Sequence, residues 1–183
     1  MSGITRRASL GAAFSVSVGA LAGCSGGPPS RTASDPGTGQ LKIASGSMEP
    51  TLAQGTTVRV QYVLPGKYQP KRQDVVFFHP PTQWDGFTAS ELLPGRVIGI
   101  PGDTVSCAGR GTPVMLNGAA LKEPYLYPGD AASSIAFSVT VPSGRLWLLD
   151  DHRSVAVDGR YQLSTPDNGA FVPIADVVSI YIH

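Results

Sequence analysis

Ser45 and Ser47 stand on either side of Gly46, directly ahead of Met48-Glu-Pro-Thr-Leu52. A serine hydroxyl in such a setting can attack an acyl carbon, but it is a weak nucleophile until a neighbour takes its proton. Hydrogen-bond donors are also needed where negative charge develops on the attacked carbonyl. The bland alternative is a Ser-Gly-Ser turn leading into a Pro-containing loop. The nitrogens on offer as bases are Lys67, Lys71, Lys122, His79, His152 and His183. Lys67 and Lys71 lie in a Pro/Gly-rich stretch and read as solvated. His152, beside Asp151, is the most interesting of the six. Three scattered histidines and no cysteine pair suggest no metal site. Gly109-Arg-Gly111 lacks the strand–loop–helix setting of a phosphate loop, so no cofactor is expected.

These residues need a scaffold, and the composition suits β structure. The chain has 183 residues, 22 Gly, 16 Pro and 8% aromatic side chains. Short β-branched runs predict strands at Val58–Val63, Asp74–Phe78, Arg96–Ile100, Thr104–Cys107, Leu146–Leu149 and Val177–Ile182. Turn residues separate them at Pro65-Gly66, Pro101-Gly102, Asn117-Gly118, Pro128-Gly129 and Ser143-Gly144. Met115 to Ala119 reads as a tight hairpin. Ser90 to Leu93 offers one helical turn at most. The expected fold is all-β, with antiparallel sheets that are coiled or barrel-like. A net charge of +1 gives no argument for nucleic acid. A monomer is expected.

Residues 1–24 read as an export signal outside the fold. Arg6-Arg7 form a basic start, Leu10 to Ala22 is small and apolar, and Leu21-Ala-Gly-Cys24 closes it. The closing tetrapeptide resembles a bacterial lipobox, which implies a diacylglycerol on Cys24 and partnership with membrane lipid. Thr5 to Leu10 weakly resembles a twin-arginine signal. An uncleaved membrane segment is the alternative, although the apolar stretch is short of the ~20 residues a span needs. Residues 25–40 read as a disordered linker of Gly, Pro, Ser and Thr. Residues 41–183 form the expected folded domain. With Cys24 lipidated, Cys107 is the one free thiol and reads as a small strand residue.

Ser45 to Leu52 resembles the nucleophile box of type I signal peptidases, membrane-tethered serine–lysine endopeptidases. Three further segments follow in the family's order. Asp74-Val-Val-Phe77 is similar to a framework strand, Arg96-Val-Ile-Gly-Ile-Pro-Gly-Asp-Thr104 to the third box, and Val141 to Arg160 to the last. The resemblance implies that Ser47 is the nucleophile and that Ser45, with the Ser47 N–H, forms the oxyanion hole. It puts the family's general-base lysine on Gly95 and the serine supporting that lysine on Ala156. The glycine opening the last box is Asp150 here. Arg96, Asp151, Arg153, Asp158 and Arg160 fall on matching positions and read as architecture around the site. His152 falls on an asparagine position.

Three readings follow. One is an active serine endopeptidase that processes signal peptides with a relocated base. The second is a catalytically impaired, lipid-anchored module on the extracytoplasmic face of a bacterial membrane, which binds extended signal or export peptides. The third is a structural envelope lipoprotein. Loss of both Lys and Ser, at Gly95 and Ala156, favours the second over the first. Retention of Ser45 and Ser47 favours the first two over the third. The family's way of reading substrate implies a peptide bound as an added strand, with the stretch before Ser45 and the segment near Val76 to Phe78 as candidates lining it.

Overall fold

The computed structural model describes residues 36–183. The export signal, Cys24 and most of the expected linker lie outside the described residues. Eleven strands follow: β1 Thr38–Lys42, β2 Thr57–Tyr62, β3 Val75–Phe78, β4 Leu93–Gly99, β5 Thr104–Cys107, β6 Met115–Leu116, β7 Ala119–Ala120, β8 Phe137–Thr140, β9 Arg145–Leu149, β10 Val172–Pro173 and β11 Val177–Tyr181. Two short 3-10 turns, Gly159–Gln162 and Ile174–Asp176, are the helical elements among the described residues. The fold is all-β, as its short β-branched runs require.

A curled seven-stranded sheet has the order β1-β2-β11-β3-β4-β9-β10, and a four-stranded sheet the order β7-β6-β5-β8. The strand pairings are antiparallel. Leu116 pairs with Ala119 across Asn117-Gly118, whose φ values are 53° and 82°. Such two-residue turns demand left-handed backbone at both positions, and Asn-Gly supplies it. β1 begins at Thr38, ahead of Leu41, where the folded part was expected to start. Its register puts Gly39 under the Tyr62 ring, where a Cβ would come within 2.5 Å of that ring. Ser90 does not start a helical turn. Ala89-Ser90 form a turn closed by Glu91 N–H on the Thr88 carbonyl, and Leu93 is already strand.

Three apolar clusters hold the sheets. Trp147, Ile98, Phe137 and Phe171 centre the first, and Val76, Phe78, Trp84 and Leu148 the second. In the third, Met48 and Leu52 pack against Ile43, Val60, Val75 and Phe77. This cluster bears on the site, because Met48 and Leu52 belong to the Ser47 segment. Burying one such side chain is worth about 1.5–3 kcal/mol, enough to pin a short irregular segment to a sheet.

Candidate active site

The Ser47 segment is not a loose Ser-Gly-Ser turn. The Leu52 N–H closes on the Met48 carbonyl at 2.9 Å, and both side chains are buried. Thr51 donates its hydroxyl to Asp151. Ser45 and Ser47 hydroxyls lie 3.2 Å apart, on the exposed side of this anchored turn. The two residues assigned to nucleophile and oxyanion hole are therefore neighbours in space as well as in sequence.

Gly95 lies inside β4, opposite Val76 of β3. It is buried, and its φ is not positive, so its backbone conformation is open to any residue. A Cβ there would meet Phe78 at 3.2 Å, Leu148 at 3.4 Å and an Asp150 carboxyl oxygen at 3.5 Å. The last neighbour follows from the register. β4 pairs with β9 only from Arg96–Leu149 onward. At Asp150 the chain leaves the ladder and turns alongside Gly95.

Asp150 is buried and lines the same groove as Ser47, whose side chain is near enough to favour the ionised carboxyl. Burial first, and then the Asp158 carboxylate, push Asp150 well above the ordinary carboxylate range. The nearby Ser47 hydroxyl and the Arg160 charge oppose that rise, while Asp151 adds to it. From sequence alone, Asp150 stands out only as a lost glycine. The signal available was the pair of changes together, with a carboxylate gained at 150 and an amine lost at 95.

The five architectural residues form a buried polar frame. Arg96 holds Asp151 through Nε at 2.7 Å and Nη2 at 2.6 Å, reaches the Gln73 carbonyl and Thr51, and lies over the Tyr125 ring. Arg153 donates to the Asp150 carbonyl at 2.6 Å and pairs with Glu123. Asp158 accepts from Arg160 Nε at 2.8 Å, from the Arg160 N–H and from the Asp150 N–H. Charges buried this way depend on their pairing, and here each is paired, although Arg160 Nη1 is left without a hydrogen-bond partner. Together they fix the turn from 150 to 160.

Ala156 is buried in that turn. His152 meets Ser47 through the backbone, its N–H donating to the Ser47 carbonyl at 2.9 Å. Its ring stacks on Tyr127 at 3.7 Å, and its Nδ1 lies 3.2 Å from the Gly46 carbonyl, to which it must donate. The histidine is a buttress of the nucleophile turn rather than a base aimed at Oγ. His79 holds the Glu91 carbonyl, and Lys67, Lys71, Lys122 and His183 are exposed.

A groove of about 580 Å³ opens beside Ser47. Leu41, Ile43, Phe77, Phe78, Phe87 and Leu148 give it apolar walls, and Ser45, Ser47, Asp150 and Asp158 a polar end. The stretch before Ser45 lines it, from Leu41 to Ala44. Val76 is absent from the lining, and β3 is hydrogen-bonded on both sides by β11 and β4, so Phe77 and Phe78 contribute side chains and no free strand edge. β1, by contrast, is the end strand of its sheet. Lys42, at the end of β1, also lines the groove and was not among the nitrogens read from sequence.

The family described as signal peptidase, peptidase S26, matches residues 37–181. A probable signal peptidase I of Mycobacterium leprae is 30% identical over 186 aligned residues, covering 74% of this chain and 64% of that protein. Signal peptidase I of Mycobacterium tuberculosis is also 30% identical, covering 74% of this chain and 60% of its own length. The chain thus spans somewhat under two thirds of the length of these relatives. A solved signal peptidase I of Enterococcus faecalis is 25% identical, covers 60% of this chain and 94% of its own, and superposes with a TM-score of 0.45. With nearly the whole described domain matched, the chain belongs to the signal peptidase, peptidase S26, family.

Proposed function

We propose that this protein is anchored on the outer face of a bacterial membrane and binds extended, small-residue ends of exported polypeptides in the groove beside Ser47. It turns them over far more slowly than a serine–lysine member of the family. The observation that carries the reading is the groove itself, with apolar walls that end on the Ser45–Ser47 pair. An extended peptide laid along β1 and the segment after it would gain main-chain hydrogen bonds, while shallow apolar walls select small side chains. The slow turnover is argued from Gly95 and Ala156, which offer neither the amine nor the hydroxyl that the family's chemistry uses. Loss of a base from a serine hydrolase costs on the order of 10⁴ in rate.

No helix among the described residues is long and apolar enough to cross a membrane. Anchoring therefore rests on the sequence around Cys24. Metabolic labelling with a fatty acid tests it, since Cys24→Ala should lose a label that the wild type takes up. Titration of the full-length protein with Ala-x-Ala peptides tests the groove. Saturable binding that Phe78→Asp abolishes supports the reading. Absence of binding at millimolar peptide sinks it and leaves the structural-lipoprotein reading.

A further inference from the structure

Ser47 still needs a proton acceptor. The family's position for one is Gly95, which has no side chain. The space beside Gly95 is nonetheless occupied: an Asp150 carboxyl oxygen lies 3.5 Å from where a Cβ would be. The same residue is buried and lines the groove together with Ser47. We propose that Asp150 is the general base for Ser47, so that the site is a serine–aspartate dyad whose carboxyl fills the room a lysine would take. This rests on the groove being the peptide site.

The chemistry balances without any added reactant. As the Ser47 Oγ lone pair forms a bond to the peptide carbonyl carbon, the Oγ proton passes to the Asp150 carboxylate. The carbonyl π pair moves onto oxygen, where the Ser45 hydroxyl and the Ser47 N–H are the donors at hand. When the oxyanion collapses, the C–N bond breaks and Asp150 returns the proton to the departing amine. An ester on Ser47 remains. Water then attacks that ester while Asp150 takes its proton, and the proton goes back to Ser47 Oγ as the acid leaves. A carboxylate is ordinarily too weak a base for this work, because its proton affinity is far below that of an alkoxide. Removal from water corrects part of the mismatch, since catalytic power grows as the base's pKa nears the working pH.

The charged groups around Asp150 give its titration a direction. Asp158 lies along the turn and donates nothing to it, while its carboxylate accepts the Asp150 N–H. Asp151 is turned away onto Arg96, and Arg160 onto Asp158. Arg153 reaches the Asp150 main-chain carbonyl. His152 is turned onto Tyr127 and Gly46. On the Ser47 side, Glu49 is turned onto the Gln54 N–H. No cation in this set pairs with the Asp150 carboxyl, and both carboxylate neighbours oppose its ionisation. The basic form is therefore scarce in acid and grows in as pH rises.

The test is acylation of Ser47 by the p-nitrophenyl ester of an Ala-x-Ala peptide, read by intact mass across mildly acidic to mildly alkaline pH. Full-length wild type, Ser47→Ala, Asp150→Asn, Asp150→Gly, Lys42→Met and His152→Ala are compared, each also titrated with the unreactive peptide. Wild type should acquire one acyl group, Ser47→Ala none. The wild-type rate should rise with pH through one ionisation above the ordinary carboxylate range. Both Asp150 variants should acylate about 100-fold more slowly and lose that rise, while still binding the unreactive peptide saturably. Asp150→Gly guards against a misfolded Asp150→Asn, because it removes the buried carboxyl altogether. The proposal is overturned by an Asp150 variant that acylates at the wild-type rate or keeps its pH profile, or by loss confined to Lys42→Met or His152→Ala. Peptide binding with no acylation in wild type overturns the dyad and leaves the groove reading intact. No peptide binding overturns both.

Discussion

Arg96 grips Asp151 with two guanidinium nitrogens, at 2.7 and 2.6 Å, and so ties the residue after Gly95 to the residue after Asp150. Neither partner can leave without stranding the other in a buried setting. Asp151→Ala should destabilise the protein by about 3–5 kcal/mol, the usual cost of orphaning a buried charge. Urea unfolding measures it. Because Thr51 also binds Asp151, Ser47 acylation should fall in the folded fraction too.

Asp150→Asn should raise the melting temperature near neutral pH and change it little in acid. The folded state holds this carboxyl well above its ordinary value, chiefly through burial. Such a group is neutral in both states below the unfolded pKa, near 3.9 as a rough reference, and there it costs nothing. As pH rises through the folded pKa the buried charge must form, and stability is lost. The amide escapes that loss. Paired scans at acidic and neutral pH check it, and a variant less stable than wild type at neutral pH would contradict it.

Asp103 behaves oppositely. The Arg72 guanidinium, with the Ile100 N–H and Asn117 amide assisting, holds its carboxyl down at about 2. A depressed carboxylate contributes stability above its unfolded pKa and loses it as pH falls toward the folded value. Asp103→Asn should therefore lower the urea midpoint at neutral pH and converge on wild type near pH 2. Parallel melts of the two proteins at both pH values decide it.

Gly95→Lys alone should not create a serine–lysine site. Its Cβ would crowd Phe78 at 3.2 Å, and its amine would meet the Asp150 carboxyl. An opposite charge holds an amine protonated, which is the wrong form for a base. Activity should need Gly95→Lys with Asp150→Gly, and rise again with Ala156→Ser. The triple variant exceeding each subset in turnover of an Ala-x-Ala amide is the expected outcome, and a fully active single would refute the argument.

His152→Ala should keep most of the wild-type acylation rate. The bond that positions Ser47 comes from the His152 main-chain N–H, which alanine retains. What disappears is the ring stacked on Tyr127 and its bond to Gly46. Some softening of the turn is expected, and with it a modest drop. A collapse to the level of Ser47→Ala would instead mark His152 as the base.

The strands were legible because the signal was local. The β-branched runs at Val58–Val63 and Val177–Ile182, and the Asn117-Gly118 turn, each follow from a few neighbouring residues. Thr38–Lys42 was not, since a Gly-containing pentapeptide becomes a strand only by pairing with β2. β8 was missed for a similar reason, its Phe137–Thr140 ladder being supplied by β5. At the site, Ser45 and Ser47 could be read from one octapeptide. Asp150 could not, because its meaning depends on β9 ending one residue before it, beside a glycine on another strand. Val76 was misplaced for want of knowing that β3 lies inside its sheet.

Thr51 and Asp151 touch across 100 positions of chain. A polypeptide that emerges from its amino end presents Ser47 to its surroundings long before the turn at 150 to 160 exists. Until β9 is laid down, the hydroxyl has no carboxyl beside it and no frame to hold it. A chain cut short before that turn therefore lacks the frame that holds the Ser47 segment. The Ser47 turn gains its Arg96–Asp151 frame only once the chain has been made past residue 151.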